Sequence, residues 1–403
     1  MIRTVKIADL KPGMFIHDFN CESRKDILYI DQTLIKSQEL IDIISSWGIE
    51  EVYIDTERGI DVADSRSPLE RQKQADQNIH KISQAGQTVP EQIPLSEEIA
   101  GASRIKNEAV DLIQESLQRA SKEKPPELEP AYELASKMKD SIQRNKDALV
   151  LLTRIRRKDE YTLYHSISVS SLVLDMCNFK GLPSDQTLDL AVGALFHDIG
   201  KALVPRGILN KPGRHTEDES RQMRKHSEYS ADLLRNAKGL PIDAYDIALH
   251  HHERYDGAGY PHGLKGDQIS YGAQLTSVCD IFDAITSARC YRAGMGTVAG
   301  LRKVYEMGGH CFPKILAYDF IRCLGVYPVG SCVQMQDGLI GIVIGSTERV
   351  LQPVVKVVFD NKRNGKVKPF RLNLAETNGT ITSYEEPSKL GLDPAGVLKE
   401  MVG

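Results

Sequence analysis

Histidines and aspartates are concentrated in the middle of the chain, on several separate segments with helical spacing. Seven of the eleven histidines lie between positions 165 and 252. The residues with metal-ligand character are His165, His197, Asp198, His226, His251, His252 and Asp280. Imidazoles and carboxylates without a cysteine pattern favour iron, manganese or zinc over calcium or a structural cysteine–zinc site. Helices that each supply one or two such side chains can enclose a metal site inside a bundle.

The adjacent pair His197-Asp198 indicates what such a site would do. One aspartate can offer its two oxygens to two metal ions, and two ions about 3.5–4 Å apart are a recurring device for phosphoester hydrolysis. Taken alone, the pair fits a capped helix end with a structural histidine better. A structural role, however, does not require the accompanying set of ligands. The residues therefore predict a metal-dependent phosphodiesterase.

A series of motifs in fixed order extends this prediction. His197-Asp198 is followed by Gly200-Lys201, then by HHE at 251–253 and by Gly259-Tyr260-Pro261, and similar patterns surround His165 and Asp280. The series resembles the HD-GYP family, bacterial hydrolases of the HD superfamily that cleave cyclic di-GMP. The resemblance covers roughly positions 150–325, somewhat under half of the chain.

The resemblance implies two metal sites bridged by Asp198, which would act in catalysis as well as in binding. One site would consist of His165, His197 and Asp280, and the other of His226, His251 and His252. Some family members hold a third metal through a glutamate four residues before the first histidine. That position is Tyr161 here, so the resemblance favours two divalent ions, iron or manganese.

Further residues are expected to contact an anionic substrate. Lys201 lies about one turn beyond the ligand pair and could reach a phosphate oxygen as a point charge, although a solvated lysine at a helix end is the simpler alternative. The resemblance implies substrate contacts from Gly259, Tyr260, Arg289 and Arg292, with Cys290 replacing a proline of the family motif. In the family the GYP segment is linked to partner docking, which makes a diguanylate cyclase or an adaptor an expected partner.

Two residues beside the ligands have open roles. His250 lies one position outside the HHE motif, so we expect it to pack or to hydrogen-bond a ligand. Glu253 could orient a ligating imidazole or, as the simpler alternative, form an ion pair.

The expected reaction is hydrolysis of cyclic di-GMP to linear pGpG, with further cleavage to GMP left open. Two alternatives remain: hydrolysis of another cyclic dinucleotide such as cyclic GMP-AMP, and a cyclic di-GMP sensor with weak turnover. Because every ligand position of a binuclear site is filled, the sequence favours an active enzyme.

Composition limits the class of protein. The 403 residues are 41% hydrophobic and 26% charged, which is typical of a globular protein, and the net charge of −4 gives no reason to expect nucleic-acid binding. Seven cysteines without regular spacing favour a reducing compartment. There is no apolar stretch of about 18 residues and no signal sequence, so we expect a cytoplasmic protein without a membrane span.

Periodicity predicts a mainly α fold with small additions at both ends. An HD-type helical bundle is expected at 151–327, preceded by scaffold helices at 101–150 and a partly disordered linker at 63–100. Residues 1–62 predict a small accessory α/β module, and 328–403 a β-rich appendage. The scaffold helices could pack on the bundle or on a second subunit, which leaves a homodimer open.

Overall fold

A computed structural model describes residues 2–18, 33–46, 49, 51–60, 68–84, 93–154, 161–211, 213, 215–287 and 295–399. The chain divides into two compact units. One comprises residues 1–78 and 213–218, and the other comprises 79–212 and 219–403. None of the helices within the described residues combines the length and the hydropathy that a membrane crossing requires.

The first unit contains a small antiparallel sheet and a helix. Its elements are β1 (Ile2–Lys6), β2 (Phe15–Asp18), β3 (Thr33–Leu34), α1 (Gln38–Ser46) and β4 (Glu51–Asp55), with strand order β1-β4-β2-β3. Val52 and Ile54 are fully buried while their neighbours are partly exposed, as expected for a strand with one covered face. Ser37 caps α1 by accepting a hydrogen bond from the backbone N–H of Leu40 at 3.4 Å. The apolar run at 27–30, which is typical of a strand, lies outside the described residues.

Helices dominate the rest of the chain. They are α2 (Pro68–Gln84), α3 (Leu95–Ala120), α4 (Leu128–Arg144), α5 (Lys146–Arg154), α6 (Tyr161–Lys180), α7 (Ser184–Phe196), α8 (Arg206–Leu209), α9 (Glu217–Arg224), α10 (His226–Arg235), α11 (Ile242–His250), α12 (Tyr271–Thr286), α13 (Thr297–Met307) and α14 (Lys314–Leu324). Helix α6 lies at the centre of the bundle and packs against α3, α5, α7, α12 and α14. Its residues Ile167, Val169 and Leu174 are at most 1% exposed although they point in different directions around the helix. The predicted mainly helical bundle is confirmed.

The predicted scaffold helices correspond to α3, α4 and α5. Ile105, Ala109 and Ile113 of α3 belong to the same buried cluster as Leu195 of α7, so these helices pack on the bundle of their own chain. Packing against a second subunit stays a prediction.

The described part of the linker predicted at 63–100 is largely helical. Helix α2 and the beginning of α3 lie in this range, and Ile79 is buried in the core shared by α6, α7 and α12. Glu98, near the beginning of α3, is only 3% exposed. Arg144 and Ser141 donate hydrogen bonds to its carboxylate, so this buried charge is satisfied. The prediction was wrong for these helices because it weighed the polar composition above a few buried positions at helical spacing. Residues 61–67 and 85–92 lie outside the described residues.

A five-stranded antiparallel sheet follows the bundle. Its strands are β5 (Cys332–Met335), β6 (Leu339–Gly345), β7 (Val354–Asp360), β8 (Gly365–Asn373) and β9 (Ile381–Tyr384), in the order β8-β7-β6-β5-β9; α15 (Leu374–Thr377) and α16 (Pro394–Lys399) accompany it. Ile340, Ile342 and Ile344 join the helical core, whereas Val343 and Val355 belong to a separate small cluster. The predicted β-rich appendage is confirmed.

Candidate metal centre

Five parts of the bundle bring the seven predicted ligands together. His165 lies on α6, His197 and Asp198 form the turn after α7, His226 begins α10, His251 and His252 follow α11, and Asp280 lies on α12. The ligand atoms form two groups, each with its atoms within 4.8 Å of one another. The His165 group contains His165, His197 and Asp280; the His226 group contains Asp198, His226, His251 and His252.

Close backbone packing positions the turn that carries His197 and Asp198. The backbone N–H of Gly200 donates to Ser230 Oγ at 2.8 Å, which ties this turn to α10. A Cβ at position 200 would lie 2.2 Å from the carbonyl oxygen of His226 and 2.4 Å from the nitrogen of Ser230. Only glycine therefore allows the turn to approach α10 this closely, and the approach places Asp198 beside His226.

Asp198 lies between the two groups, with one oxygen toward each. Its Oδ1 is 3.2 Å from His226 Nε2 and 3.9 Å from His251 Nε2. Its Oδ2 is 3.3 Å from His197 Nε2 and 3.5 Å from His165 Nε2. A carboxylate with this placement can contact two cations at once.

Unsatisfied polar atoms in this cluster fit a bound cation. Within the described residues, His197 Nε2, His251 Nε2 and Asp198 Oδ1 are buried and have no hydrogen-bond partner. His226 Nε2 and His252 Nε2 face each other at 3.1 Å. Buried acceptors left without donors cost free energy, and a divalent metal coordinated by several of them would remove that cost. The residues present fit a metal centre.

The remaining ring nitrogens of three histidines are fixed by backbone carbonyls of the preceding helical turn. The Nδ1 atoms of His197, His226 and His251 donate to Ala194 O at 2.7 Å, Met223 O at 2.7 Å and Ile247 O at 3.0 Å. A carbonyl oxygen accepts only, so Nδ1 carries the hydrogen and the lone pair of Nε2 faces the cluster.

His165 is oriented differently, by a carboxylate that belongs to the motif after Asp280 but to which the sequence assigned no role. Its Nδ1 lies 2.7 Å from Asp283 Oδ2, while Ser168 Oγ donates to Asp283 Oδ1 at 2.6 Å. Its Nε2 lies 3.0 Å from Asp280 Oδ1. The available signal was spacing, because Asp283 follows Asp280 by three residues and so shares its helix face.

The pKa of His165 in one group is shifted upward, whereas those of His251 and His252 in the other group are shifted downward. Burial lowers the pKa of His165, but hydrogen bonds to Asp280 and Asp283 outweigh it and raise the pKa to about 9. Burial and the charge of His226 lower the pKa of His252 to about 3, and burial also holds the pKa of His251 well below its usual value. Without a metal, His165 retains a proton, whereas His251 and His252 are neutral imidazoles.

Lys201 pairs with the ligand cluster itself. Its ammonium group hydrogen-bonds Asp198 Oδ2, and its side chain is 21% exposed. Burial would raise the pKa of Asp198, but Lys201 and His197 hold that pKa well below its usual range. The expected contact between Lys201 and a substrate phosphate stays a prediction.

The GYP segment folds over the His226 group. Gly259 is required because a Cβ there would lie 2.3 Å from the backbone nitrogen of Arg254. The ring of Tyr260 stacks on His252, with centroids 4.8 Å apart and planes inclined by 29°. Of the residues expected to contact substrate, Gly259 and Tyr260 therefore lie at the cluster, whereas Arg289 and Arg292 are outside the described residues, as is the side chain of Tyr161.

Within the part of the chain that the structure describes, the carboxylate of Glu253 neither orients a ligating imidazole nor forms an ion pair. Its carboxylate accepts hydrogen bonds from the backbone N–H groups of His262 at 2.7 Å and Leu264 at 3.0 Å, and the residue is 1% exposed. Both expectations were wrong because they considered only side-chain partners, whereas loop N–H groups satisfy this carboxylate. His250 contacts Asp246 at 2.6 Å and His262 at 3.0 Å through its two ring nitrogens.

Family models and known proteins match most of this chain. The HD domain family model matches residues 132–313, and a domain of unknown function (DUF3391) matches residues 2–131. The chain is 33% identical over 362 residues to the cyclic di-GMP phosphodiesterase PA4108 of Pseudomonas aeruginosa, covering 89% of this chain and 86% of that protein.

Two further relatives match less than half of the chain. The cyclic di-GMP phosphodiesterase response regulator RpfG of Xanthomonas campestris is 36% identical, over 44% of this chain and 48% of that protein. The 3'3'-cGAMP-specific phosphodiesterase 1 of Vibrio cholerae is 35% identical, over 37% of this chain and 34% of that protein. The extended match to PA4108, the HD domain and the ordered motifs together establish that the chain belongs to the HD-GYP family of phosphodiesterases.

Proposed function

We propose that this phosphodiesterase hydrolyses cyclic di-GMP to linear pGpG at a binuclear metal centre. The observation that carries the proposal is the position of Asp198, whose two oxygens each face a separate group of buried ligands. The extended similarity to a cyclic di-GMP phosphodiesterase supports the choice of substrate. Two divalent ions, iron or manganese, would suit the mixture of imidazoles and carboxylates.

The His165 group would hold one ion and the His226 group the other, with Asp198 shared. When bound, the ions supply an activated water and polarise the phosphate that is attacked. Asp283 holds the His165 ring so that Nε2 faces the centre, and the helix carbonyls do the same for His197, His226 and His251. The ligands are therefore oriented before an ion arrives, which reduces the ordering cost of binding.

Lys201 would stabilise negative charge that develops on the phosphate. Its ammonium already lies at Asp198 Oδ2 and its side chain is partly exposed, so it can turn from the carboxylate to a phosphate oxygen. Tyr260, stacked on His252, closes the centre on the side of the GYP segment and restricts where the substrate can enter. The arginines at 289 and 292 remain predicted substrate contacts from the sequence.

The other parts of the chain are proposed to scaffold or regulate. Ala258, His262 and Gly263 of the GYP segment are exposed and are available for a diguanylate cyclase or an adaptor. The described residues within 1–62 and 328–403 contribute no ligand to either group, and these regions are assigned accessory roles. A homodimer through the region 101–150 can be tested by light scattering.

The decisive experiment is a turnover assay on protein loaded with manganese or, anaerobically, with iron. Cyclic di-GMP, 3'3'-cyclic GMP-AMP and pGpG are compared at matched concentrations. We expect cyclic di-GMP to be cleaved with the highest kcat/KM and pGpG to accumulate. A higher kcat/KM for cyclic GMP-AMP would replace the proposed substrate, and binding without turnover in either metal would indicate a sensor. Asp246→Ala, an aspartate near the site that faces His250, serves as the control for Asp198→Ala.

A further inference from the structure

Arg224 forms the outer layer of a stack that leads from solvent to the ligand cluster. Its guanidinium carbon lies 5.3 Å from the centroid of the Tyr260 ring. The same ring stacks at 4.8 Å on His252. Arg224 ends α9 and His226 begins α10. Arg224 therefore lies at the same helix junction that supplies the ligand His226. One aromatic ring therefore separates an arginine from a proposed metal ligand.

The guanidinium has unused hydrogen-bonding capacity. Arg224 is exposed, and none of the described acidic side chains forms an ion pair with it. By contrast, Arg254, which precedes the GYP segment in the sequence, already has an acidic partner. Its Nε donates a hydrogen bond to Asp256 Oδ1 at 3.1 Å. Five N–H donors held in a plane beside an aromatic ring are a suitable receptor for two phosphate oxygens.

The chemistry of a cyclic dinucleotide supplies an acceptor. The molecule contains two phosphodiesters on opposite sides of its sugar–phosphate ring, and only one of them is attacked at a time. The second keeps its negative charge and must lie outside the ligand cluster. We propose that Arg224 binds this second, uncleaved phosphodiester and thereby selects cyclic dinucleotides over substrates with a single phosphodiester. The inference rests on the proposed function and extends it to a second phosphate subsite.

The test compares Arg224→Ala with Lys225→Ala, which removes the neighbouring exposed cation without touching Tyr260. Each enzyme is assayed on cyclic di-GMP, on 3'3'-cyclic GMP-AMP and on bis(p-nitrophenyl) phosphate, which has one phosphodiester and no base. Metal content and Tm are measured for all proteins. We expect Arg224→Ala to raise KM for both cyclic dinucleotides by about five- to tenfold with little change in kcat, as for loss of a partly exposed charged contact. Its activity on bis(p-nitrophenyl) phosphate, its metal content and its Tm should match those of Lys225→Ala.

Other outcomes identify what has failed. Unchanged KM for the cyclic dinucleotides would overturn the subsite. An increase for only one of them would assign Arg224 to a base, and equal losses on all three substrates would assign it to the metal centre; each result contradicts a phosphate contact. Arg224→Lys should recover only part of the affinity, because an ammonium lacks the planar fork. If the unmodified enzyme cleaves neither cyclic dinucleotide, the proposed function has failed and not the subsite alone.

Discussion

The two ligand groups use the same side-chain chemistry but differ at His165, which a carboxylate orients, whereas backbone carbonyls orient His197, His226 and His251. In the His226 group, the Nδ1 atoms of His226 and His251 donate to backbone carbonyls of the preceding helical turn, and burial lowers the pKa values of His251 and His252. In the His165 group, the leading imidazole is held between Asp280 and Asp283, and its pKa is raised to about 9. A metal entering the His165 group would have to displace the proton of His165, whereas a metal entering the His226 group would meet the neutral imidazoles of His251 and His252. Two adjacent sites can thus differ in affinity without differing in ligand type.

The largest effect is expected from removing the residue that the groups share. Asp198→Ala should lower kcat/KM by roughly a thousandfold or more, because several kcal/mol of metal-dependent stabilisation are lost. The metal content of anaerobically purified protein should fall from about two ions per chain toward none or one. Elemental analysis and turnover measure both effects, with Asp246→Ala as the control. Full metal content and activity in Asp198→Ala would refute a shared ligand.

Lys201→Ala should change catalysis and metal binding in opposite directions. Loss of a charged contact to the phosphate predicts a decrease in kcat of roughly ten- to a hundredfold. Metal affinity should be maintained or increased, because the ammonium no longer competes for Asp198 Oδ2. Stopped-flow metal titration and steady-state kinetics separate the two effects. Wild-type kinetics would show that Lys201 is a solvated surface residue without a role in catalysis. Loss of metal would show that Lys201 is needed to hold Asp198 in place as a ligand.

Asp283→Asn should affect one group and spare the other. The amide keeps the shape of the carboxylate but loses the charge that holds the His165 ring, and such changes typically cost about 10–100-fold in metal affinity. We expect one of two ions to bind more weakly in a competition titration with a chelator. Ser168→Ala, which removes only the hydroxyl that supports Asp283, should have a smaller effect in the same direction. Equal weakening of both ions would show that the groups are not independent.

The smallest effect is a pH dependence in metal-free protein. Because the pKa of His165 is raised from 6.5 to about 9 on folding, the folded state binds a proton that the unfolded chain releases. The stability from this proton is present in full below pH 6.5 and is lost as pH rises to about 9. Thermal unfolding of chelator-treated protein should therefore show a Tm that falls across this range. Asp283→Asn should flatten the profile, and an equally steep profile in that variant would contradict the assignment.

The sequence predicted residue types well and partners poorly. All seven candidate ligands converge because each lies at the end or on the buried face of a helix, where periodicity and motif order are informative. Asp283 and Glu253 were not assigned correctly, since the partner of one lies 118 residues away and those of the other are backbone N–H groups. The helix at 68–84 was missed because its burial depends on contacts such as that of Ile79 with distant helices. Such contacts between residues far apart in the sequence cannot be predicted from local composition.

Gly200 distinguishes family members that can assemble the metal centre from those that cannot. The absence of a side chain there lets the turn carrying Asp198 lie against α10, and no other residue fits the 2.2 Å approach to the carbonyl of His226. A relative that keeps all seven ligands would still lose the centre if this glycine were replaced, because the turn carrying Asp198 would be pushed away from His226 on α10. Counting ligands would then misclassify that protein as active. Position 200 is therefore a diagnostic of degeneracy within the family that is independent of the ligands themselves.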